Sequence, residues 1–206
     1  MPEETVSADL LAQVEAILGP ATNFDARFVE DYGRLAEIAR YLKSRGKKIV
    51  MTKGVYDLIH VGHARYIDEA KRHGDVLIIS IDTDALTRKR KGDNRPIVSQ
   101  DERLEMIVHL RSADIVTLRD IHHGEEEDID VVRPDILITS ATTADYTDTK
   151  KAWLKEMYGL EVVTLQAQAQ TSTTARIRTL MIDGAEVLGR NIRELIEGFL
   201  EKLRVS

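Results

Sequence analysis

Two histidines, His60 and His63, lie in the segment "KGVYDLIHVGHARYIDEAK", where an apolar run gives way to an amphipathic helical pattern. Gly54 and Gly62 lie on either side of the first histidine, and a glycine lets the backbone approach a ligand closely. Free N–H groups and the helix dipole favour an anion at the start of a helix. We therefore expect both imidazoles to face one anion. Imidazole donors aimed at phosphate oxygens would stabilise the charge that builds up during phosphoryl or nucleotidyl transfer.

The common nucleotide-binding motifs do not explain this segment. Gly54 and Gly62 are too far apart for the dinucleotide fingerprint G-x-G-x-x-G, and no G-K-[ST] follows them. Each histidine by itself would be an ordinary core or surface residue. The pair, together with the glycines and Asp57, favours a phosphate site.

The elements that position this segment alternate between short apolar runs and amphipathic helices. Such alternation predicts an α/β domain with a doubly wound parallel sheet, covered by helices on both faces and joined by right-handed crossovers. Ligands of such sheets bind beyond the carboxyl ends of the strands, where the histidine segment lies. The predicted strands are 47–53, 75–81, 113–118, 134–140 and 160–165, and the predicted helices of this domain are 62–74, 99–110, 150–159 and 171–182.

Three regions are predicted along the chain. Residues 1–46 form an N-terminal extension of two helices, 47–182 form the α/β domain, and 183–206 form a C-terminal amphipathic helix. The apolar stripe of that last helix needs a surface to bury it. The α/β domain and a second copy in a homodimer are both compatible with it. The stripe consists of Ile192, Leu195, Ile196, Phe199, Leu200 and Leu203.

Composition excludes several classes of protein. The 206 residues are 43% hydrophobic and 31% charged, as in an ordinary globular protein, and cysteine is absent, so disulfides and thiolate sites are excluded. We expect no membrane span and no secretory leader, and therefore a cytoplasmic location. The net charge of −6 argues against nucleic acid or an anionic membrane as the main partner.

Charged segments interrupt this acidic chain. The basic run "TRKRKGDNR" from 87 to 95 suits a small, highly charged anion, although a solvated basic turn has the same composition. The acidic run "HHGEEED" from 122 to 128 is predicted to be a solvated loop. Asp82 and Asp84 end a predicted strand, where they either meet a ribose or form a plain turn.

Three segments together carry a family resemblance. "GVYDLIHVGH" resembles the G-x-F-D-x-x-H-x-G-H signature of the cytidylyltransferase-like nucleotidyltransferase superfamily, with Tyr56 where Phe is usual. "RKRKGDNRPIVSQDERLEMI" looks like the family's basic loop and the R-P…R helix that follows it. "TSTTARI" looks like the family's late S-T-T helix start. The resemblance spans about residues 47–182.

The resemblance implies a role for each matching residue of the first segment. Gly54, Val55 and Tyr56 would contact the nucleotide through the backbone. His60 and His63 would bind its phosphates and stabilise the pentacoordinate transition state. No covalent enzyme intermediate is implied, because the acceptor phosphate attacks the α-phosphorus directly.

The later segments would complete the phosphate site. Lys91 would neutralise the triphosphate or the acceptor phosphate, and Arg103 would contact phosphate as well. Ser172, Thr173 and Thr174 would hold the β- and γ-phosphates. Mg²⁺ is implied as the cofactor, carried by the triphosphate and water, and no protein metal ligands are implied.

Within the superfamily, the "K-G-D-x-R-P" loop and the S-T-T start resemble the heptose 1-phosphate adenylyltransferase type, also called ADP-heptose synthase. This resemblance implies transfer of a nucleoside monophosphate, AMP from ATP, to a phosphorylated small molecule of the sugar phosphate class, with release of pyrophosphate. A cytidylyltransferase of the glycerol-3-phosphate type is the main alternative, but the Arg that this type carries before S-T-T is absent from "LQAQAQT". An archaeal-type FAD synthetase and a catalytically inactive nucleotide sensor are also left open. A redox α/β protein is disfavoured, because the dinucleotide glycines are missing.

Two departures from the family pattern affect the predicted acceptor. Sugar-phosphate members carry a Gly-rich segment after the fourth strand, where this chain has "TSATTADY" from Thr139 to Tyr146. Asp145 could replace the family Asp with shifted spacing. Lys53 stands where a small or amide residue is usual, and it is expected to add a charge beside the phosphates.

Overall fold

The computed structural model describes residues 6–143, 145–168 and 173–205. An N-terminal group of helices precedes alternating strands and helices, and one long helix ends the chain. The elements in chain order are α1 (Ala8–Leu18), α2 (Phe24–Arg27), α3 (Tyr32–Ser44), β1 (Ile49–Gly54), α4 (Val61–Lys71), β2 (Val76–Asp82), α5 (Asp84–Lys91), α6 (Gln100–Val108), β3 (Ile115–Arg119), α7 (Glu127–Val132), β4 (Ile136–Ser140), α8 (Asp148–Tyr158), β5 (Glu161–Leu165) and α9 (Thr173–Val205).

Within the described residues, five strands form one sheet in the order β3-β2-β1-β4-β5. Every neighbouring pair is parallel. The chain moves outward from β1 to β3 and then returns to the other side of β1, so the winding direction reverses between β1 and β4. The predicted doubly wound α/β fold is confirmed. Its switch point lies at the carboxyl end of β1, where ligands bind in open parallel sheets.

Helices cover the two faces of this sheet. Because side chains alternate along a strand, Met51 and Val50 of β1 pack into opposite layers. The layer that contains Met51 also holds buried residues of α1, α3, α7 and α8. The layer that contains Val50 holds residues of α4 and α6, together with Tyr56. We refer to these as the Met51 face and the Val50 face of the sheet.

Two helices lie where the sequence pattern indicates loops. The predicted basic loop contains α5, whose first turn is capped by Thr83, because its hydroxyl oxygen accepts a hydrogen bond from the Leu86 N–H at 3.2 Å. The predicted acidic loop leads into α7, which buries Ile129 and Val132. Both segments consist mainly of charged residues, so no apolar period marks them as helical. Caps and tertiary contacts determine these helices instead.

The long helix α9 joins two predicted elements, the last helix of the α/β domain and the C-terminal helix. The chain divides into two compact units, one up to residue 168 and one from residue 169. The predicted boundaries at residues 46 and 182 stay predictions. Among the described helices, none is both long enough and apolar enough to cross a membrane.

Candidate active site

The two histidines meet at the start of α4. His60 is the N-cap residue, and its Nδ1 accepts a hydrogen bond from the Gly62 N–H at 3.0 Å. Its ring stacks on that of His63 with 4.1 Å between the ring centroids and 24° between the planes. Because Nδ1 of His60 is an acceptor, the neutral ring carries its proton on Nε2.

The His63 side chain is half-buried in this corner. Its ring makes a T-shaped contact with the Tyr56 ring, with 5.6 Å between the ring centroids. Among the described residues, the buried Nδ1 of His63 has no hydrogen-bond partner. Burial, with the nearby His60 and Lys91, lowers the pKa of His63 to about 4, although Asp57 opposes this shift. The imidazole is therefore neutral near pH 7. A buried polar atom without a partner is uncommon in folded proteins, and a catalytic role is one recognised reason for it.

The loop before α4 has an unusual backbone. Tyr56 and Leu58 have positive φ angles of 54° and 47°, a conformation that costs free energy for residues with a side chain. The Tyr56 ring covers Gly54 so closely that a Cβ there would lie 3.2 Å from Tyr56 Cε2. Because Gly54 has no side chain, the Tyr56 ring can pack directly against its backbone.

Asp57 ties this loop to the segment before α6. Its carboxylate accepts hydrogen bonds from Arg95 Nη1 at 2.7 Å, from the Ile97 N–H at 3.1 Å and from the Val98 N–H at 3.0 Å. Burial opposes ionisation, but the bonds from Val98, Ile97 and Arg95 outweigh it, so the pKa of Asp57 lies below its ordinary value. Asp57 belongs to the sequence signature, but these partners lie 38 to 41 residues further along the chain, and no local pattern indicates them.

Arg103 is held by protein groups in this structure, and its predicted phosphate contact stays a prediction. Its side chain is fully buried. Nε donates to the Val98 carbonyl at 3.0 Å, Nη1 donates to the Val55 carbonyl, and Nη2 donates to Asp84 Oδ1 at 2.7 Å. Each of the three guanidinium nitrogens thus donates to a protein oxygen. Arg103 clamps the histidine loop, the segment before α6 and the start of α5 together.

Lys91 lies close to the histidine pair. It is exposed at the last turn of α5, and its charge is one of the causes of the lowered pKa of His63. A cation near the C-terminus of a helix is favoured by the helix dipole. The structure therefore brings His60, His63 and Lys91 into one region at the carboxyl end of β1.

Comparison with known protein families places this geometry in context. Residues 51–184 match the family described as cytidylyltransferase-like. The chain belongs to this family of nucleotidyltransferases. The assignment predicted from the sequence is confirmed.

Curated relatives of this family member include several proteins named bifunctional protein HldE. The protein from Syntrophotalea carbinolica is 34% identical over 167 residues, which is 81% of this chain and 34% of the relative. The protein from Nitratiruptor sp. is 39% identical over 111 residues, which is 54% of this chain and 24% of the relative. The chain thus corresponds to about a third or less of the length of these relatives.

Solved structures agree with the family fold. A lipopolysaccharide core biosynthesis protein from Thermoplasma volcanium matches with a TM-score of 0.52 and 25% identity, and the match covers 62% of this chain and all of that one (100%). Pantoate-β-alanine ligase from Francisella tularensis matches with a TM-score of 0.51 and 15% identity over 69% of this chain and 67% of that one. The second likeness concerns the fold alone.

The third family segment is only partly described. Thr173 begins α9, and Thr174 follows in its first turn. Ser172 and the side chains of both threonines lie outside the described residues. Their predicted contacts with the β- and γ-phosphates stay predictions.

On the Met51 face, this member of the cytidylyltransferase-like family carries a charged cluster at the strand ends. Lys53, two residues after Met51, has a side chain only 4% exposed, and its Nζ lies 2.9 Å from both Glu126 and Asp128. Glu126 also pairs with Lys150 at 2.9 Å. Two carboxylates compensate Lys53, so the expectation of an added charge beside the phosphates is wrong. Within the acidic segment, Asp128 is buried and Glu126 is half-buried in this cluster. The exposed residues of the segment, as expected for a solvated loop, are His122, Gly124, Glu125 and Glu127.

Asp82 forms the centre of a second ion-pair group in the same cluster. This fully buried carboxylate accepts hydrogen bonds from Arg119 Nε at 3.0 Å and Nη2 at 2.6 Å, and from Arg90 Nη1 at 2.6 Å. Arg90 Nη2 pairs in turn with Asp145. In this structure Asp82 is therefore neither a free ribose contact nor part of a plain turn. A charged residue that ends a buried strand was the sequence signal for this network.

Proposed function

We propose that this chain transfers a nucleoside monophosphate, AMP from ATP, to a phosphorylated small molecule of the sugar phosphate class and releases pyrophosphate. The observation that carries this proposal is the stacked pair of His60 and His63 at the start of α4, with Nδ1 of His63 buried and unpartnered among the described residues. The pair lies at the carboxyl end of β1, next to the switch point of the sheet. Membership of the cytidylyltransferase-like family supports the reaction class.

The proposed transfer reaction uses the two imidazoles at the start of α4 as hydrogen-bond donors. A phosphate oxygen of the acceptor attacks the α-phosphorus, the bond from that phosphorus to the bridging oxygen breaks, and pyrophosphate leaves with the electron pair. Nε2–H of His60 and an N–H of His63 donate to the oxygens on which negative charge accumulates. A bound polyphosphate favours the protonated imidazole, so the pKa of His63 rises when the triphosphate arrives.

Other groups complete the proposed site. Lys91 would neutralise charge on the triphosphate. Mg²⁺ would arrive on the triphosphate and shield its oxygens, as is usual when this ion is bound mainly by phosphates and water. The contacts of Asp57 with Arg95 and of Arg103 with the Val55 carbonyl would position the histidine loop.

The choice of a sugar phosphate rests on the relatives. The HldE proteins are bifunctional by name, and the K-G-D-x-R-P and S-T-T segments resemble the heptose 1-phosphate adenylyltransferase type. The loop after β4 lacks the glycines of that type. The acceptor test therefore includes phosphates other than heptose 1-phosphate.

Pyrophosphate release with Mg²⁺ tests the proposal. ATP, CTP, GTP and UTP are each combined with heptose 1-phosphate, other sugar phosphates, glycerol 3-phosphate and FMN. We expect release with ATP and one sugar phosphate, and a loss of about 10²- to 10³-fold in kcat for His63→Ala, the size observed when one transition-state donor is removed. His109→Ala is the matched control, because that histidine side chain is 67% exposed and lies on α6.

Three other results have distinct meanings. Release with CTP and glycerol 3-phosphate would establish the cytidylyltransferase alternative. Tight nucleotide binding without release from any combination would favour the sensor. Absence of both nucleotide binding and release would refute the proposed function.

A further inference from the structure

The last turn of α5 reaches both faces of the sheet at its carboxyl edge. Arg90 pairs with Asp82 on the Met51 face. The charge of the next residue, Lys91, instead contributes to the lowered pKa of His63, whose ring contacts Tyr56 on the Val50 face. Resting on the proposed function, we infer that Arg90 binds the phosphate monoester of the acceptor. Nucleotide and acceptor would then occupy the two sides of this helix end.

One side of the Arg90 guanidinium is held rigidly. Nη1 donates to the carboxylate of Asp82, which is fully buried and is also bound by two nitrogens of Arg119. Because Arg119 satisfies one oxygen of Asp82, the other oxygen anchors Arg90. A planar guanidinium held in this way is oriented before a ligand arrives, which lowers the entropy cost of binding.

The other side of the guanidinium faces a replaceable partner. Nη2 pairs with Asp145, whose side chain is 52% exposed. Exposed ion pairs contribute little to stability, because water screens both charges. A phosphate dianion accepts charge-assisted hydrogen bonds from an arginine and matches its geometry. The phosphate of an acceptor can therefore displace Asp145 from Arg90 at little cost.

The pair of Arg90 and Asp145 spans the end of the strand that carries the histidine loop. Arg90 belongs to the helix after β2, and Asp145 follows β4, and these strands lie on the two sides of β1. An anion that replaces Asp145 thus lies over the carboxyl end of β1, next to the loop that ends in the histidines. Holding both reactants at one strand end supplies the proximity that transfer requires.

The other cations of this cluster are less suited to a ligand. Of its four basic side chains, Lys53 is 4% exposed, Arg119 is 10% exposed and Lys150 is 23% exposed, against 35% for Arg90. Lys53 and Arg119 each pair with a fully buried carboxylate. Arg90 is the most exposed of the four, and it joins a buried carboxylate that orients it to an exposed one, Asp145, that a ligand phosphate can replace.

Steady-state kinetics test this inference with the acceptor that the pyrophosphate panel identifies. We expect Arg90→Gln to raise the KM for the acceptor at least about tenfold while the KM for the triphosphate changes less than about twofold. Asp145→Asn should lower the acceptor KM by about 1.5- to 5-fold, since it removes the competing carboxylate. Arg72→Gln is the matched control, because it removes an exposed arginine, 71% exposed, from another helix end.

A binding measurement separates this inference from the proposed function. Inorganic phosphate is titrated by ³¹P nuclear magnetic resonance into His63→Ala protein, in which the histidine site is disabled, with and without Arg90→Gln. Loss of phosphate binding on the Arg90 change supports the inference even if no combination of substrates releases pyrophosphate. Unchanged binding in Arg90→Gln, no phosphate binding at all, or equal KM effects on both substrates would overturn it.

Discussion

The lowered pKa of His63 couples the histidine corner to folding stability. In the unfolded chain this histidine has an ordinary pKa of 6.5, and in the folded protein the value is about 4. The unfolded state therefore binds a proton between these pH values, whereas the folded state does not. The stabilising contribution is fully present above about pH 6.5 and is lost as the pH falls through 4. The difference corresponds to about 3 kcal/mol at most, since one pKa unit equals about 1.4 kcal/mol.

Urea denaturation of the wild type and of His63→Gln at pH 7.5, 6.5, 5.5, 4.5 and 4.0 measures this contribution. Glutamine retains a polar side chain but does not titrate. The free energy of unfolding should fall more steeply in the wild type than in the variant, with a divergence approaching 3 kcal/mol at the lowest pH. His109→Gln should follow the wild type, because that side chain is exposed.

Parallel pH profiles for the wild type and His63→Gln would refute the reasoning. They would mean that His63 is protonated in the folded protein as readily as in the unfolded chain. A nuclear magnetic resonance titration of the imidazole would check this independently. In the presence of a bound triphosphate, the same titration should show a higher pKa than in the free protein.

Further changes test other parts of the structure. Arg103→Met should lower the free energy of unfolding by about 3 kcal/mol or more, because it leaves Asp84 and two carbonyl groups without their buried partner; a urea midpoint equal to that of the wild type would contradict the clamp. Gly54→Ala should lower the free energy of unfolding by about 1–3 kcal/mol, since its Cβ would lie 3.2 Å from the Tyr56 ring. Thermal unfolding measures this loss. Gly184→Ala is the control and should not destabilise the protein, because the space around Gly184 is open. Lys53→Met should cost about 3–5 kcal/mol by leaving the fully buried Asp128 without its ion pair, although Glu126 keeps Lys150; an unchanged free energy of unfolding in chemical denaturation would argue against the buried ion pair.

Local patterns in the sequence determine much of this protein. Alternating apolar runs and amphipathic helices predict the parallel sheet, because burial on both faces requires those periods. The spacing of His60 and His63 predicts that both rings lie at one helix start, since residues three apart are neighbours on a helix. Their stacking in the structure follows from that local geometry.

Only the tertiary structure decides which charges meet. Asp57 pairs with Arg95, which lies 38 residues further along the chain, and Lys53 pairs with Asp128, 75 residues further along. Arg103 donates to the carbonyl of Val55, which lies 48 residues before it. The order and register of the strands bring these residues together, and no local period encodes such a pairing. The same applies to α5, whose charged sequence lacks an apolar stripe, and to α7, where six residues offer only one apolar pair at helical spacing, Ile129 and Val132.

The sequence therefore determines by itself the fold class, the family and the histidine pair, because each depends on neighbours along the chain. The roles of Arg103, Lys53 and Arg90 were decided by the tertiary structure. A charged side chain is equally compatible with solvent, a substrate or a buried partner until the strand ends place a carboxylate or a carbonyl within its reach.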